Sequence, residues 1–426
     1  MRFDEALSDL EGRQPERMVP DLDRIRALAE LLDHPELTYR TIHVTGTNGK
    51  TTTARLAARI LCAQGVRAGL YTSPHLASVT ERLALCNEPI REQEFADVYA
   101  HLLPYLEEVD RRGERVTYFE TLTALAYLWF ADKPVEVGVF EVGMGGTWDA
   151  TNLIRSEVAA ICRIGLDHPE LGSTVEEVAT EKAGIIKSGS VAVIAEQRPE
   201  ALAVIEARAA EVGADLRIEG RDFAVEDRRV AVGGQVVVVR GLHAAYPDLF
   251  VPLHGRHQAH NTAIAIASCE AVLRGPLTEA SLRETLAVST SPGRLEVVSR
   301  RPLVVLDGAH NPDGAAALAT ALGEEFVWQQ LHLVIGVLET KDVDGIVEIL
   351  APRADAAYVC ANGHPGSLPP ERIAVACEKN GLPVRTFDSV ASALDAAEDS
   401  ARADDIILVT GSLYTVADAR PRYVKD

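Results

Sequence analysis

Apolar runs of strand length alternate with segments of helix length along almost the whole 426-residue chain, and this alternation restricts the possible folds more than any other feature. It predicts βαβ units, in which parallel strands are joined by helices that cover the sheet. Residues 135–142 (VEVGVFEV) are apolar enough for a central strand buried on both faces. The other elements predicted for the first half are strands at 41–44, 67–72 and 157–163 and helices at 51–64 and 175–186.

A second series of such units begins near residue 300 and predicts a smaller, doubly wound domain. Between the two series, residues 214–241 contain short β-type runs around Gly233-Gly234, which predict a small antiparallel excursion. Ser289–Gly293 is rich in loop-forming residues and is the predicted linker. We expect two α/β domains, residues 1–291 and 292–426, with a ligand in the cleft between them. The strands predicted for the second domain are 303–306, 331–337, 356–360, 384–387 and 406–409.

The chain is acidic, with 42 Lys and Arg against 63 Asp and Glu and a formal net charge of −21. Such a surface repels phosphate backbones and anionic lipid, which argues against nucleic-acid and membrane-surface proteins but still allows a pocket for a small anion. No uncharged apolar run approaches the ~20 residues of a membrane-spanning helix, and the charged first residues contain no signal-peptide core. The six cysteines show no CxxC pair, so we expect reduced thiols in a cytoplasmic protein.

The strongest local signal is the sequence TGTNGKTT at residues 45–52, between the first predicted strand and its helix. Its glycines let backbone N–H groups turn inward, the helix N-terminus adds partial positive charge, and Lys50 can reach the outer phosphates of a nucleotide. Thr51 is placed to offer a hydroxyl to Mg²⁺. The general P-loop pattern has glycine where this chain has Val44, so the loop is a shortened variant. The alternative is an ordinary glycine-rich turn.

Acidic side chains follow two further strands, at the edge where open α/β sheets bind ligands. Glu141 starts a glycine-rich turn that runs to Asn152, and a carboxylate there is suited to a metal ion. The alternative is a tight turn capped by Asp149. Asp167-His168 follows the next strand, and the two strand ends can meet at one Mg²⁺ site, with a structural Asp-His pair as the alternative.

Three later stretches are weak signals when taken singly. Lys182 lies late in the helix predicted at 175–186, where composition alone favours a solvated charged face. His257–Asn261 and Pro292–Arg294 precede Asp307–Pro312, which follows the first strand of the second domain and can therefore face the cleft. The order and spacing of these motifs carry more information than any one of them.

Taken in order, the motifs resemble the folylpolyglutamate synthase and dihydrofolate synthase family, within the wider group of Mur ligases. The resemblance covers nearly the whole chain and also includes Thr72–Leu76, Phe119–Thr121, Glu181–Ile186 and Val409–Tyr414. It implies a P-loop domain of the Mur ligase type followed by a smaller Rossmann-like domain. It also implies a monomeric, ATP-dependent amide ligase that adds L-glutamate to dihydropteroate, to reduced folates or to both, through an acyl phosphate.

The resemblance also implies roles for individual residues. Lys50, His168 and Lys182 are the implied catalytic residues. The implied ATP-binding residues are Thr47, Asn48, Gly49, Lys50, Thr51, Asn261, Arg294, Asp307 and His310. The implied Mg²⁺ ligands are Thr51, Ser73, Glu141, His168 and Lys182, the last as a carbamate. The implied pterin-substrate residues are Asp21, Leu22, Phe119, Thr147 and Asp149. The segment Met18–Ile25 resembles one that contacts dihydropteroate in bifunctional members, and the alternative is a loop in which Asp21 caps a helix.

Two departures from the family leave the acceptor substrate open. Thr147 stands where the family usually has arginine, which removes a bidentate donor beside the pterin pocket. Pro169-Glu170 alone separate His168 from Leu171, where the family normally has three residues.

Two other functions stay possible at this stage. One is a Mur-type ligase for a different carboxylate, although we expect the ~40 residues before the P-loop to be too few for a nucleotide-sugar domain. The other is a nucleotide-binding protein without ligase activity.

Overall fold

The computed structural model describes residues 1–14, 20–113 and 115–424, and its largest sheet belongs to the first domain. The strands of this sheet are β1 (Arg40–Thr45), β2 (Ala68–Tyr71), β3 (Leu83–Leu85), β4 (Glu88–Pro89), β5 (Val137–Glu141), β6 (Val158–Ile161), β7 (Val191–Ile194) and β8 (Asp215–Ile218). Their spatial order is β4-β3-β2-β5-β1-β6-β7-β8. All neighbours are parallel except the antiparallel β2-β3-β4 edge.

The predicted central strand is confirmed. All five residues of β5 are buried, and β5 pairs with β1 on one side and with β2 on the other. Successive side chains of a strand point to opposite faces, and accordingly Val139 and Phe140 belong to different hydrophobic clusters on the two faces of the sheet. The strands predicted at 41–44, 67–72 and 157–163 correspond to β1, β2 and β6.

Helices cover both faces of this sheet. They are α1 (Phe3–Glu11), α2 (Asp23–Leu31), α3 (Lys50–Ala63), α4 (Glu92–Arg112), α5 (Tyr118–Asp132), α6 (Val175–Ala183), α7 (Pro199–Val212), α8 (Arg256–Leu273) and α9 (Glu279–Ala287). One face is covered by α3 and α8, which pack on each other, and the other by α1, α2, α4 and α5. The helices predicted at 51–64 and 175–186 are confirmed as α3 and α6, although α6 ends at Ala183. No helix within the described ranges is long and apolar enough to cross a membrane.

A separate antiparallel sheet consists of β9 (Ala224–Ala231), β10 (Gly234–Arg240) and β11 (Ala245–Val251), with β10 in the middle. The prediction for residues 214–241 is right about β9 and β10, which meet at a turn where Gly233 and Gly234 both have positive φ. It is wrong about the bounds, because 215–218 form the parallel edge strand β8 and the antiparallel sheet extends to Val251.

The second domain contains the strands β12 (Glu296–Arg300), β13 (Leu303–Leu306), β14 (Leu331–Ile335), β15 (Ala356–Cys360), β16 (Val384–Phe387) and β17 (Ile406–Thr410) in the order β12-β13-β17-β14-β15-β16. Its helices are α10 (Pro312–Glu325), α11 (Val343–Leu350), α12 (Pro370–Lys379), α13 (Val390–Ser400) and α14 (Leu413–Ala419). All five predicted strands are confirmed. The antiparallel edge strand β12 was not predicted, because its residues are only half-buried and give no apolar run.

The two domains are joined by a buried contact at the C-terminal end of α10. The side chain of Glu325 is fully buried and accepts hydrogen bonds from the Gly255 backbone N–H (2.7 Å) and from Arg228. Its second oxygen lies 2.7 Å from Nδ1 of His254. The linker is also attached to the first domain, because the Ser291 and Thr52 hydroxyls are 2.8 Å apart and buried. We call the Glu325 contact the α10 anchor.

Cys62 and Cys86 form a disulfide, which corrects the expectation that all six cysteines are reduced. Cys62 is in the last turn of α3, and Cys86 is in the exposed turn between β3 and β4. The spacing of the two residues gave no motif, because their contact depends on the β3-β4 hairpin folding back beside α3. The remaining cysteines, Cys162, Cys269, Cys360 and Cys377, are free and buried.

We expect protein purified without reductant to expose four reactive thiols in denaturant and six after reduction, as counted with a thiol reagent. The Cys62→Ser variant should expose five, because it releases Cys86. Its free energy of unfolding should fall by about 3 kcal/mol, since the disulfide closes a loop over a sequence separation of 24. Six thiols in the unreduced protein would contradict the disulfide.

Candidate active site

The loop between β1 and α3 needs glycine at two positions. Gly46 and Gly49 have φ values of 147° and 92°, which L side chains rarely adopt. A Cβ on Gly46 would lie 2.6 Å from Cβ of Cys162, and a Cβ on Gly49 would lie 2.4 Å from Oδ1 of Asn261. Thr47 fixes the loop from the other side, because its hydroxyl bonds both the O (2.8 Å) and the N (2.9 Å) of Gly165. The loop therefore has the close approaches expected of a phosphate cradle.

Lys50 lies over this loop. Its Nζ donates to the backbone oxygens of Gly46 (3.0 Å) and Thr47 (3.2 Å), so its charge is held where an anion on the loop could reach it. Asn48 reaches the second domain, because its amide exchanges two hydrogen bonds with the amide of Asn311, at 3.3 and 3.4 Å. The predicted phosphate loop is thus in contact with both domains.

Three residues predicted to bind Mg²⁺ lie together beside the loop. One carboxylate oxygen of Glu141 accepts from the Thr51 hydroxyl (2.7 Å), and the other accepts from the Ser73 backbone N–H (3.1 Å). Glu141 is 1% exposed, and burial raises its pKa. A buried carboxylate beside two hydroxyl-bearing residues is the donor chemistry that a divalent cation prefers. Within the described ranges, no group of three His, Cys, Asp or Glu side chains is already placed around a metal position.

Lys182 is buried against the same loop, so the alternative of a solvated charged face is wrong. It is 3% exposed, and its Nζ donates to the Gly46 oxygen at 3.0 Å, the oxygen that Lys50 also bonds. Burial, together with the nearby charge of Lys50, lowers the pKa of Lys182 to about 7. The sequence could not give this burial, because it depends on how α6 packs against the loop after β1.

Asp167, His168 and His310 meet at the mouth of the site, with Lys341 as a fourth member. Nε2 of His168 lies 3.2 Å and Nε2 of His310 lies 3.3 Å from one oxygen of Asp167, and Lys341 Nζ lies 2.7 Å from the other. Burial opposes ionisation of Asp167, but the hydrogen bond and charge of His310 and the charge of Lys341 keep its pKa well below the usual range. Burial lowers the pKa of His168 to about 4.

Sequence reasoning missed Lys341. It follows β14 at the carboxyl edge of the second sheet, the position that made Asp307 and His310 candidates. That placement was an available signal, but Lys341 stands in no motif that the sequence analysis identified.

The remaining ATP-binding candidates lie around the linker and the start of α8. Asp307 is buried, and its two oxygens accept from the backbone N–H groups of Leu295 (2.8 Å) and Ala309 (2.9 Å). Arg294 lies against Gly308, where a Cβ would be 2.4 Å from its Nη1. Asn261 donates to Gln258 at 2.9 Å and turns its oxygen toward Gly49. The carboxylate of Asp307 therefore braces two loops of the second domain.

The pterin-substrate candidates Phe119, Thr147 and Asp149 lie around the turn that follows β5. Phe119 and Asp149 both lie against Gly143, where a Cβ would be 2.6 Å and 3.2 Å from them. Asp149 is buried and accepts hydrogen bonds from the backbone N–H groups of Met144 and Thr151, both at 3.0 Å. These are the hydrogen bonds expected if Asp149 caps the tight turn that follows Glu141. The exposed Thr147 donates to the Glu181 backbone oxygen at 3.0 Å.

The two N-terminal candidates lie beside helix α2. Asp21 accepts a hydrogen bond from the Asp23 backbone N–H at 2.7 Å. This is the contact expected if Asp21 caps helix α2, the alternative to a contact with the substrate. Leu22 packs on the cluster that includes α5. Met18 and Val19 of the same segment lie outside the described residues.

A small pocket with a cavity volume of about 10 Å³ lies at this site, and its lining includes Gly46, Lys50, Gly145, Asp167, His168 and Lys182. All of its lining residues belong to the first domain. The expected position of the ligand in the cleft between the domains stays a prediction. The second domain approaches the pocket through His310 and Lys341, which contact Asp167, and through Asp313, which lies against Gly165 of the lining.

The chain matches two protein-family models. The Mur ligase middle domain matches residues 44–269, and the Mur ligase glutamate ligase domain matches residues 293–413. The chain is 41% identical to the dihydrofolate synthase/folylpolyglutamate synthase of Mycobacterium tuberculosis, over 98% of this chain and 93% of that protein. It is 37% identical to the folylpolyglutamate synthase of Lacticaseibacillus casei, over 94% of each.

Solved structures give the same picture. A folylpolyglutamate synthase of Mycobacterium tuberculosis complexed with ADP is similar with a TM-score of 0.96 and 41% identity, over 100% of this chain and 98% of that one. A structure described as an FPGS–AMPPCP–folate complex is similar with a TM-score of 0.90 and 34% identity, over 100% of both chains. Fold and sequence are therefore matched together over the full length.

Proposed function

The chain belongs to the folylpolyglutamate synthase and dihydrofolate synthase family of Mur ligases, and from that premise we propose how its residues perform an ATP-dependent ligation of L-glutamate to a folate-type carboxylate. The enzyme is an ATP-dependent ligase. The observation that carries the proposal is the convergence of Lys50, Lys182 and the Thr51–Glu141 pair on one glycine-rich loop.

We assign ATP to this loop, with its phosphates on the backbone of residues 47–51. The relatives solved with ADP, AMPPCP and folate support that assignment. An oxygen of the acceptor carboxylate attacks the γ-phosphorus, ADP leaves, and an acyl phosphate forms. The glutamate amine then attacks the acyl carbon, and phosphate leaves as the amide bond forms. Lys50 neutralises charge on the transferring phosphoryl group, which is catalysis by positioning and electrostatics. No protein nucleophile takes part.

For Mg²⁺, the proposed ligands are Thr51, Ser73, Glu141 and His168, with Lys182 as a carbamate. The support is the donor chemistry of the buried Thr51–Glu141 pair and its contact with Ser73. Bound there, the cation would neutralise phosphate charge. For carbamylation, the support is the burial of the Lys182 amine and a pKa of about 7, since only a neutral amine adds CO₂. The free amine would become a carboxylate-like oxygen donor.

From the second domain and α8, the proposed ATP contacts are Arg294, Asp307, His310 and Asn261. Asn261 is supported by its approach to Gly49. For Asp307, the bonds to Leu295 and Ala309 support a role in shaping the loops that carry Arg294 and His310.

For the acceptor, we propose that both 7,8-dihydropteroate and reduced folates are used, with the pterin near Phe119 and Thr147. The support is the 41% identity to a relative named for both activities.

We further propose that the two domains divide between residues 291 and 292, which the separate sheets before and after the linker support. The monomeric state and the cytoplasmic location are proposed from the family resemblance alone.

The test is ATP-dependent incorporation of labelled L-glutamate with 7,8-dihydropteroate and a reduced folate monoglutamate as separate acceptors. We expect Mg²⁺-dependent incorporation with both. Thr147→Arg, which installs the usual family residue on an exposed turn, should change the KM of the acceptor and leave the KM of ATP unchanged. Incorporation with the folate alone would limit the enzyme to polyglutamate synthesis. Incorporation with neither acceptor would exclude the folate assignment.

A further inference from the structure

Asp167 is a carboxylate of the first domain whose partners come mainly from the second. Its side chain is 6% exposed, as is fitting for a group with three nitrogen partners. His168 is its neighbour in sequence, whereas His310 follows β13 and Lys341 follows β14. The carboxylate therefore joins a proposed metal ligand to two loops at the carboxyl edge of the second sheet.

The Asp167–Lys341 ion pair differs from the other contacts between the domains. It is nearly buried, with side-chain exposures of 6% and 7%. The Arg198–Asp313 pair, by contrast, is 43% and 36% exposed at 3.1 Å, and neither of its residues pairs with Asp167. The α10 anchor is buried but lies at α10's far end, away from the pocket lining. Asp167 and Lys341 thus form the buried ion pair that lies at the mouth of the pocket.

The Asp167 carboxylate also contacts the ring of His168. Nε2 of His168 lies 3.2 Å from the Asp167 oxygen that meets Nε2 of His310, so the position of the carboxylate limits where the His168 ring can lie. Because Lys341 takes the other oxygen of Asp167 at 2.7 Å, its position fixes the orientation in which the carboxylate meets His168.

We propose that Asp167 is a positioning residue that couples docking of the second domain to the placement of the His168 ring. Lys341 acts on the reaction through Asp167. This inference rests on the proposed function, in which His168 serves the ligase reaction.

The test compares Asp167→Asn, Lys341→Met and the double variant in ATP-dependent glutamate incorporation. Asn keeps the shape of Asp without its charge, and Met keeps most of the lysine stem. We expect each single variant to lower kcat by about 10- to 100-fold and to change the KM of ATP little. The double variant should be no worse than either single variant, because both remove the same coupling.

A second readout does not use activity. In protein labelled with ¹⁵N-histidine, the His168 ring resonances, assigned by their loss in His168→Gln, should report a single ring environment in the wild type. They should shift and broaden in both single variants, because the carboxylate no longer holds the ring in one place. If the wild type ligates nothing, the proposed function fails, and this spectrum still decides whether Lys341 and Asp167 fix His168.

Arg198→Ala is the matched control, since it removes another ion pair between the domains and leaves Asp167 alone. It should keep wild-type kcat and the wild-type His168 spectrum. Three outcomes would overturn the coupling: an equal loss in Arg198→Ala, additive losses in the double variant, or unchanged His168 resonances in Lys341→Met. A raised KM for glutamate in Lys341→Met alone would also overturn it, because Lys341 would then act on the substrate directly.

Discussion

Replacement of Lys50 by methionine is expected to lower kcat for glutamate ligation by about 10³-fold. The Nζ atom rests on the Gly46 and Thr47 oxygens, within the loop that we assign to the ATP phosphates. Methionine keeps the length and apolar stem of the side chain and removes the charge that offsets the transferring phosphoryl group. The measurement is single-turnover ligation with saturating ATP, alongside calorimetric ATP binding.

Lys379→Met is the control for this prediction. Lys379 pairs with Asp344 on an exposed surface of the second domain, so its variant should ligate at the wild-type rate. A loss of less than 10-fold in Lys50→Met would show that Lys50 does not contact the transferring phosphoryl group.

Replacement of Lys182 by alanine is expected to reduce ligation by about 10²- to 10³-fold, and acetate or formate should restore part of the activity. The residue is buried on the glycine-rich loop, so alanine leaves a space that a small carboxylate can enter. Such a carboxylate would replace the proposed carbamate. Lys187→Ala, a partly buried lysine five positions along the chain, should lose little activity and show no rescue. Absence of rescue together with full activity in CO₂-depleted buffer would contradict the carbamate.

The same residue gives a pH dependence with a defined sign. Burial lowers the pKa of Lys182 from 10.5 to about 7, so about half of the amine is neutral at pH 7, against about one molecule in three thousand for an ordinary lysine. Only the neutral amine reacts with CO₂. In metal-free protein, carbamate formation from ¹³C-bicarbonate, followed by ¹³C NMR, should therefore rise as the pH increases through about 7.

Elements with local signals were predictable from the sequence. Strand β5 was predicted because its residues are apolar on both faces, and α3 because a glycine-rich loop precedes it and Gly65 follows it. Helix α4 was not predicted, although its buried residues recur at helical spacing, because Pro104 lies inside it and proline normally ends or kinks a helix. Edge strand β12 was missed because its residues are at most half-buried and include Glu296, Ser299 and Arg300.

Contacts between distant parts of the chain were not predictable. Lys341 meets Asp167 across 174 positions of sequence, and only the docking of the two domains brings them together. Cys62 and Cys86 meet because a hairpin turns back on α3. Glu141 and Thr51 were named as candidates by motif, yet their 2.7 Å contact depends on the parallel pairing of β1 with β5.

The α10 anchor limits how the pocket can open. Because Glu325 is bonded to Arg228, His254 and Gly255 together, separation at that end would strip a buried carboxylate of all these partners. At the pocket, opening would separate the Asp167–Lys341 pair and the two hydrogen bonds between Asn48 and Asn311. We therefore expect the second domain to rotate about the contact at Glu325, which stays in place. Such a rotation displaces Lys341 more than it displaces residues close to Glu325, so we expect a nucleotide to enter and leave while the two domains stay attached at α10.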